Sequence, residues 1–506
     1  MNSRAPHSLL VRELAERIGG VVTQGDGGRR VEGLRQDSRS VVRGEMFAVR
    51  PGQQVDGAQF IPDALARGAA ALLVSRGVLH GAPVDVPVIE VEDVGRSLGV
   101  AAAEVYGHPT RELRTVGITG TNGKTTTSTI VFEALERLGS RPALIGTLGN
   151  RFGATSSAGS HTTPEADDIQ RFAAGVVAAG GTHLVMEVSS HALALGRADA
   201  IHFAVAAFTN LTQDHLDFHK TMSAYGDAKR RLFSDLAPEA SVINVDDPFG
   251  ALLAAEALGR VTRVSTSGHA TSDVRVTRPS LAASGIRATI VVPSGSVEID
   301  SMLVGAHNLA NLALALGILL ALRVAPADAA RALSGPARVP GRLERCDEPG
   351  DDVIVLVDYA HTPDALIRAL DAVREIARAR VLCVFGCGGD RDPTKRAPMG
   401  RAVADRADIA VVTNDNPRTE DPATILQMIV AGMQSMRGER IVEPDRATAI
   451  RLAVESADSG DIVLIAGKGH EDYQILGTTK HPFSDQAHAR AALASRRARA
   501  HEGPRG

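Results

Sequence analysis

Short runs of consecutive apolar residues alternate with amphipathic stretches along most of the chain. In the middle and near the end of the sequence such runs occupy residues 115–118, 143–145, 184–188, 204–208, 242–245, 353–357, 381–385, 409–413 and 462–466. Strands that helices cover on both faces have this continuous apolar pattern. We therefore predict an α/β fold with mostly parallel sheets. Earlier in the chain, the runs 46–49, 71–74 and 86–91 predict further strands around a helix at 60–67, and alternating runs within 274–304 predict an antiparallel addition.

Two turn-rich stretches interrupt this pattern. Residues 106–110 and 334–341 contain Gly and Pro at close spacing, which is typical of turns and linkers. A chain of 506 residues is also long enough for about three domains. We therefore expect domains at 1–110, 111–335 and 336–506.

Composition narrows the class of protein. The net charge is −4, so the chain has no overall positive field that would attract nucleic acid. Aromatic residues make up 3% of the chain and Trp is absent, which argues against a surface on which bases stack. The first 20 residues carry charges without an apolar core, so we expect no signal peptide. The apolar run 309–322 is too short to span a bilayer and predicts a core helix. Three cysteines cannot form a disulfide framework, and we expect Cys383 and Cys387 in the core. We therefore expect a cytoplasmic protein.

A glycine-rich loop follows the predicted strand 115–118 and opens a helix. It reads Gly-Thr-Asn-Gly-Lys-Thr-Thr over residues 120–126. Exposed N–H groups at a helix N-terminus bind phosphate. Lys124 would reach the β- and γ-phosphates, and the Thr125 hydroxyl would ligate Mg²⁺. Ile118 stands where the general phosphate-loop pattern has Gly, so Gly120 must form the turn. A glycine-rich turn beside a surface lysine is the alternative, but the strand–loop–helix context favours nucleotide binding.

This loop resembles the phosphate loop of the Mur ligases and folylpolyglutamate synthetases, and further motifs in the same order extend the resemblance over nearly the whole chain. The resemblance implies an ATP-dependent, amide-forming enzyme of three domains, with a central P-loop-type, mostly parallel sheet and a Rossmann-like C-terminal domain. It assigns to the ATP site Gly120, Thr121, Asn122, Gly123, Lys124, Thr125, Thr126, Asn308, Arg342 and Asp358. Without the resemblance, Asn308 would only begin a helix, and Arg342 would be a solvated linker charge.

Glu187 is a carboxylate at the end of an apolar run, so its burial requires a cation or hydrogen bonds. The resemblance implies that Glu187 and His215 bind Mg²⁺ with Thr125. It also implies that CO₂ carbamylates Lys229 to N6-carboxylysine, whose oxygens suit a hard cation. The predicted catalytic residues are therefore Lys124, Glu187, His215 and Lys229. A loop histidine and a solvated surface lysine are the alternatives for His215 and Lys229.

Polar loops follow the strands predicted near the end of the chain, where α/β sheets bind ligands. Asp-Asn-Pro-Arg at 415–418 resembles the loop of those Mur ligases that add meso-diaminopimelate. The Arg418 guanidinium is a rigid fork suited to a carboxylate that lysine lacks. The resemblance assigns to this amino acid Arg391, Asp415, Asn416, Pro417, Arg418, Gly467 and Glu471. Glu471 offers an anion for an amine, and Arg391 a cation for a carboxylate. Glycine-rich loops with solvated charges are the alternative.

The first domain and its neighbour would hold a nucleotide-sugar peptide. The resemblance assigns to this substrate Ser38, Gln53, Gln54, Val55, Thr162, Thr163, Ser189 and Arg197. Leu195 stands where some members of the family have a polar residue, which puts one sugar-peptide contact in doubt.

The expected function is ATP-dependent addition of meso-2,6-diaminopimelate to UDP-N-acetylmuramoyl-L-alanyl-D-glutamate through an acyl phosphate, in peptidoglycan precursor synthesis. Its partners would be these small molecules, with no nucleic acid and no membrane span, and the chain would act as a monomer. A lysine-adding ligase is an alternative that Arg418 disfavours. Folate polyglutamylation fits the phosphate loop alone. A P-loop NTPase switch or a non-catalytic binding protein would need no second metal-binding set at Glu187, His215 and Lys229.

Overall fold

The computed structural model describes residues 8–50, 57–157, 159, 161–335 and 339–502, in two compact units. The first unit is Met1–Val276, Ile290–Val297 and Asn311–Leu333, and the second is Thr277–Thr289, Glu298–Ala310 and Ser334–Gly506. Within the described ranges, no helix is both long and apolar enough to cross a membrane.

The first unit begins with a five-stranded sheet. Its elements and those beside it are β1 (Leu9–Leu10), α1 (Val11–Arg17), β2 (Val21–Gln24), β3 (Arg30–Val31), β4 (Gly33–Arg35), β5 (Glu45–Val49), α2 (Ile61–Ala66), β6 (Ala71–Ser75), β7 (Val88–Val91) and α3 (Val94–Tyr106). The sheet order is β2-β7-β6-β5-β4, with only β2 antiparallel to its neighbour. The predicted strands and helix of this region are therefore present, each within a few residues of its expected bounds.

Helix α3 shows how local sequence sets these elements. The Asp93 side chain accepts from the backbone N–H of Gly95 at 2.7 Å and so caps the helix. Leu98, Ala102 and Val105 recur at helical spacing and are buried against the sheet. The helix ends at a glycine, residue 107, whose φ of 74° suits a left-handed cap.

The middle of the chain forms the largest sheet. Its elements are β8 (Arg114–Thr119), α4 (Lys124–Arg137), β9 (Pro142–Gly146), β10 (Gly149–Phe152), β11 (Thr155–Ser157), α5 (Ala166–Ala178), β12 (His183–Glu187), α6 (Ser190–Ala194), β13 (Val205–Phe208), α7 (Leu216–His219), α8 (Met222–Arg230), β14 (Ala240–Asn244), α9 (Pro248–Glu256), β15 (Arg260–Ser265), β16 (Val274–Ala282), β17 (Gly285–Val292), β18 (Gly295–Ser301), α10 (Ala306–Ala321) and α11 (Pro326–Leu333). The order is β11-β10-β9-β12-β8-β13-β14-β15-β16-β17-β18. Strands β9, β12, β8, β13, β14 and β15 are parallel, so the loops after β12, β8 and β13 emerge side by side.

The region 274–304 differs in one respect from the antiparallel addition predicted for it. Strand β16 joins β15 in parallel, with Val264 opposite Val274. Strands β16, β17 and β18 then follow one another in the sheet with short connections. Alternating apolar residues show that one face is buried, but they carry no information on strand direction. The loop before β16 is anchored by Asp273, whose Oδ2 accepts from the N–H of Arg263 at 2.8 Å.

The second unit contains a six-stranded sheet. Its elements include β19 (Glu344–Arg345), β20 (Ile354–Asp358), α12 (Pro363–Ile376), β21 (Val381–Phe385), α13 (Arg396–Ala404), β22 (Ile409–Val412), α14 (Pro422–Ala431), β23 (Glu439–Val442), α15 (Arg446–Ser456), β24 (Ile462–Ala466), β25 (Tyr473–Leu476), β26 (Thr479–Pro482) and α16 (Asp485–Glu502). The order is β19-β20-β24-β21-β22-β23, and only β19 is antiparallel. Apolar clusters cover both faces of this sheet. Cys383 and Cys387 are buried free thiols, as expected.

Candidate active site

The phosphate loop occupies the sharp turn between β8 and α4. Gly120 has a φ of 150°, and a Cβ there would lie 1.8 Å from Oγ1 of Thr209. Gly123 has a φ of 85°, and its Cβ would lie 2.4 Å from Oδ1 of Asn311. Both positions therefore require glycine. Ile118 is fully buried within β8, so the departure from the general pattern leaves the turn itself intact.

A second loop, residues 209–212 after β13, holds the phosphate loop in shape. The backbone carbonyl of Asn210 accepts from the N–H of Thr121 at 2.8 Å. The side-chain Oδ1 of Asn210 accepts from the N–H of Asn122 at 3.0 Å. The Thr209 hydroxyl donates to the Asn122 carbonyl at 2.6 Å. Neighbouring parallel strands thus deliver both loops to one edge of the sheet. The strand before the second loop was predicted from the sequence, but the contacts of this loop with the phosphate loop were not.

Lys124 lies at the start of α4 and folds back over the loop. Its Nζ donates to the carbonyl oxygens of Gly120 at 2.8 Å and Thr121 at 2.9 Å. Thr126 is buried behind the loop. An ammonium held over a helix N-terminus attracts phosphate oxygens.

Glu187 ends β12 and is 1% exposed. Its Oε2 accepts from the Thr125 hydroxyl at 3.0 Å, and its Oε1 accepts from the Thr147 backbone N–H at 2.8 Å. The Thr147 hydroxyl donates to Oε2 at 3.1 Å. These hydrogen bonds compensate the buried carboxylate. They also place a carboxylate oxygen beside the Thr125 hydroxyl, a donor pair that suits a hard cation.

The described residues contain no metal cage built from protein side chains alone. No group of three or more His, Cys, Asp or Glu side chains in the described part of the chain is gathered closely enough to hold a metal ion. Magnesium commonly takes only one or two protein carboxylates and fills its sphere with water and phosphate oxygens. Thr125 and Glu187 therefore fit Mg²⁺ bound together with a nucleotide.

Lys229 lies in α8 and is 1% exposed. Its Nζ donates to the Gly120 carbonyl at 2.8 Å and lies 4.4 Å from the centre of the Tyr225 ring. Burial, aided by the Lys124 cation, holds the pKa of Lys229 well below its usual value. The alternative of a solvated surface lysine is therefore wrong. A neutral amine is the form that adds CO₂.

His215 precedes α7 in a left-handed conformation with a φ of 52°. Its ring lies 4.8 Å from the ring of His191 and 6.0 Å from that of Tyr225. Burial is the main cause that lowers the pKa of His215, and the Lys124 cation adds to it. The neutral imidazole favoured in this way is the form that binds metals.

The residues assigned to the sugar peptide adjoin Glu187. Thr163 donates from its hydroxyl to the Glu187 carbonyl at 2.9 Å and accepts from the Ser189 N–H at 3.0 Å. Arg197 donates to the Thr163 carbonyl at 3.2 Å. The hydroxyls of Thr162 and Thr147 lie 3.1 Å apart. These predicted residues therefore form one cluster with the carboxylate.

A cavity of about 580 Å³ opens beside Leu195. Its lining includes Arg50, Arg96, Asp199 and Arg231. Glu165 pairs with Arg50 at 2.9 Å and with Arg197 at 2.6 Å, so one carboxylate connects the end of β5 to the peptide cluster.

The remaining residues assigned to the nucleotide sugar lie in the N-terminal part. Ser38 is buried in a turn that the Asp37 side chain caps. Gln53, Gln54 and Val55 lie outside the described residues.

In the second unit, the loops after β21 and β22 hold Arg418. Its Nη1 donates to the Gly389 carbonyl at 2.7 Å. Its backbone N–H donates to Ile475 at 3.2 Å, and its carbonyl accepts from the N–H of Gly477 at 2.9 Å. The β25–β26 hairpin thereby holds Arg418 at its φ of 54°. Arg391 is exposed on the loop after β21.

Asp415, Asn416 and Glu471 surround the ammonium of Lys468. Its Nζ lies 2.9 Å from Oδ1 of Asn416, 3.3 Å from Oδ1 of Asp415 and 3.4 Å from Oε2 of Glu471. Asn416 also donates to Glu471 at 3.0 Å. Gly467 has a φ of 121° beside Asp415, and Pro417 is buried. The predicted diaminopimelate residues on separate loops thus converge, and the exposed Arg391 lies near Arg418, since a Cβ at Gly388 would lie 3.9 Å from Cγ of Arg391 and 3.0 Å from Nη1 of Arg418.

Three residues of the second unit are assigned to ATP: Arg342 precedes β19, Asp358 ends β20 and Asn308 lies in the first turn of α10. The Arg342 guanidinium lies 5.2 Å from the centre of the Tyr359 ring. Asp358 accepts from the N–H of Leu343 at 2.8 Å, and burial raises the pKa of this carboxyl. The side-chain amide of Asn308 donates to the Val304 carbonyl at 2.8 Å.

Comparisons with known proteins show the family of this chain. Three family models match the chain: the Mur ligase family catalytic domain over residues 30–106, the Mur ligase middle domain over 118–319 and the Mur ligase glutamate ligase domain over 341–469. A protein of Gloeobacter violaceus named UDP-N-acetylmuramoyl-L-alanyl-D-glutamate–2,6-diaminopimelate ligase is 48% identical over 470 residues, covering 93% of this chain and 95% of that protein. The chain belongs to the Mur ligase family.

Other relatives of this Mur ligase carry the same name. The Synechococcus elongatus protein is 46% identical over 474 residues, covering 92% of this chain and 94% of its own. A solved structure titled with that ligase name is 31% identical, with a TM-score of 0.73, and covers 97% of this chain and 99% of that one. The Mycobacterium tuberculosis folylpolyglutamate synthase, solved with ADP and AMPPCP, is 20% identical with a TM-score of 0.58, covering 78% of this chain and 94% of that one. That last likeness shows the fold alone. The predicted three-domain Mur ligase fold is confirmed.

Sequence reasoning missed two polar side chains of this Mur ligase. Thr147 supplies two hydrogen bonds to Glu187, and Lys468 lies among the acidic residues of the second unit. The Gly-Thr-Leu-Gly turn at 146–149 was the available signal for Thr147. For Lys468 the signal was a lysine between two glycines directly after a buried strand.

Proposed function

We propose that this Mur ligase joins meso-2,6-diaminopimelate to UDP-N-acetylmuramoyl-L-alanyl-D-glutamate with conversion of ATP to ADP and phosphate. This reaction belongs to cytoplasmic peptidoglycan precursor synthesis, and the chain acts on its small-molecule substrates as a monomer. The observation that carries the proposal is the Arg418 guanidinium, fixed on Gly389 beside the acidic group Asp415 and Glu471. The cation of Arg418 suits a carboxylate, and the acidic side chains suit an ammonium, at the same end of one amino acid.

The phosphate loop and its neighbours bind ATP. Residues 120–126 hold the phosphates, with Lys124 over the loop, while Asn308, Arg342 and Asp358 hold the rest of the nucleotide. Mg²⁺, held by Thr125, Glu187, His215 and carbamylated Lys229, would neutralise phosphate charge. The substrate carboxylate attacks the γ-phosphate, giving an acyl phosphate and ADP. The amine of diaminopimelate then attacks the acyl carbon and expels phosphate.

The other substrates bind at the remaining predicted residues. Ser38, Gln53, Gln54 and Val55 hold the nucleotide, and Thr162, Thr163, Ser189 and Arg197 hold the sugar peptide. We assign these roles to domains at 1–110 for the nucleotide sugar, 111–335 for ATP and 336–506 for the amino acid. The cluster of Thr163, Ser189 and Arg197 around Glu187 supports placing the peptide carboxylate near the phosphate loop.

A lysine-adding ligase is the competing function. Lysine has no second carboxylate, so it would leave the Arg418 guanidinium without an anionic partner. A site built for a polar group rejects analogues that lack it.

Phosphate release from ATP tests the proposal. The assay supplies UDP-N-acetylmuramoyl-L-alanyl-D-glutamate with meso-diaminopimelate, with L-lysine or with no amino acid. We expect release only with diaminopimelate, and a product heavier by that residue. Equal release with lysine would refute the specificity, and release without any acceptor would identify an NTPase instead.

A further inference from the structure

Lys468 is a buried lysine that lies among Asp415, Asn416 and Glu471 in the second unit. It is 0% exposed, and its neighbours Asp415 and Asn416 are 7% and 4% exposed. Its three polar contacts come from two loops, one after β22 and one after β24. Desolvation of a buried ammonium is unfavourable unless the ammonium is paired, so the acidic partners stabilise Lys468 in this position.

Asp415, Glu471 and Lys468 together do not neutralise one another. Asp415 and Glu471 supply two negative charges, and Lys468 supplies one positive charge. The neighbouring Arg446 pairs with Asp485 at 2.7 Å, with both side chains fully buried, and adds no net charge. The group therefore carries a net charge of −1, next to the cation of Arg418. That combination matches one ammonium and one carboxylate.

We propose that Lys468 is a positioning residue that ties Asp415 and Asn416 to Glu471, so that the site accepts a single ammonium and selects the zwitterionic end of a diamino acid. This inference rests on the proposed function. Lys468 itself does not contact the reacting atoms. It prevents the two carboxylates from repelling each other and orients the Asn416 amide, whose Nδ2 donates to Glu471.

L-2-Aminopimelate is the probe for this role. It keeps the reactive amine and both carboxylates of diaminopimelate but lacks the second amine. In the wild-type protein we expect its KM to exceed that of meso-diaminopimelate by about tenfold or more, the usual cost of losing a charge-assisted hydrogen bond. In Lys468→Met, the KM for diaminopimelate rises by a similar factor, and the ratio between the two substrates falls toward one.

Arg380→Met is the matched control. Arg380 pairs with the buried Asp461 at 2.7 Å. Asp461 lies directly before β24, whereas Lys468 lies after this strand. Its loss lowers thermal stability but leaves the KM ratio at the wild-type value. Calorimetric ADP binding shows that each variant is folded. Lys468→Gln, which removes the charge but keeps a hydrogen-bond donor, is the second variant if Lys468→Met does not fold, and it carries the same expectation.

The outcomes separate the two proposals. An unchanged KM ratio in a folded Lys468 variant overturns the positioning role and leaves the ligase activity standing. A wild-type protein that does not use diaminopimelate overturns both.

Discussion

The Nζ atom of Lys229 donates a 2.8 Å hydrogen bond to the carbonyl oxygen of Gly120. A buried amine from α8 is thereby attached to the turn that begins the phosphate loop. The same carbonyl accepts from Lys124 at 2.8 Å, so two lysines share one acceptor. Because two adjacent ammonium groups repel each other, conversion of Lys229 to an anionic carbamate would remove an unfavourable contact.

Carbamylation of Lys229 is open to direct measurement. Because burial lowers the pKa of Lys229, a larger share of its amine is neutral and able to add CO₂ than in an exposed lysine. With ¹³C-labelled bicarbonate we expect a carbamate resonance that weakens as the pH falls, since protonation removes the reactive amine. Lys229→Met loses the resonance and about a hundredfold or more of ligase activity. The exposed Lys220 is the control, and a resonance that survives in Lys229→Met would disprove the assignment.

Gly120→Ala tests the steric demand of the phosphate loop. The added Cβ would lie 1.8 Å from Oγ1 of Thr209, so the loop must shift. We expect ADP affinity, measured by calorimetry, to fall about a hundredfold or more, because misplaced N–H groups no longer reach phosphate. Gly139→Ala is the control: its φ is 79° and nothing lies within 4 Å of the new Cβ. That variant costs about 1 kcal/mol of stability and keeps its ADP affinity. Equal effects at the two sites would argue against the steric account.

Arg418→Gln tests recognition of the amino acid. The change removes the fork that would hold the distal carboxylate of diaminopimelate. We expect kcat/KM for diaminopimelate to fall about a hundredfold, while activity with L-lysine changes little. The exposed Arg401 of α13 provides the control variant Arg401→Gln. A uniform loss for both amino acids would indicate a structural role for Arg418 instead.

Asp167 makes stability depend on pH. Burial raises the pKa of Asp167 to about 6, above its unfolded value, so the folded state binds the proton more tightly. Stability therefore falls as the pH rises from about 4 to about 6, by at most about 3 kcal/mol. Asp167→Asn keeps an acceptor for the Gln36 N–H and removes this cost. In thermal melts it is more stable than the wild type at pH 8, with little difference near pH 4. Asp168→Asn leaves Asp167 buried, so its stability still falls over this pH range, by less than in the wild type because the Asp168 charge contributes to the raised pKa of Asp167.

The parts of the site that can be predicted from the sequence are those whose residues are close together along the chain. The strand, loop and helix around residues 120–126 lie together in the sequence, and their pattern is visible without the fold. Thr147 was missed because its contact with Glu187 depends on the pairing of β9 with β12, which β10, β11 and α5 separate along the chain. Lys468 was missed for the same reason, since Asp415 lies 53 positions before it. Strand direction at β16 was wrong because periodicity reports burial alone.

The β25–β26 hairpin gives the Asp-Asn-Pro-Arg loop a support from a distant part of the chain. Arg418 exchanges backbone hydrogen bonds with Ile475 and Gly477, which hold it in a left-handed conformation. Residues 415–418 therefore do not form a self-contained recognition element. A tetrapeptide transplanted into a ligase of different specificity would relax to another conformation. To transfer the preference for an amino acid, an engineer would have to move the hairpin together with the loop.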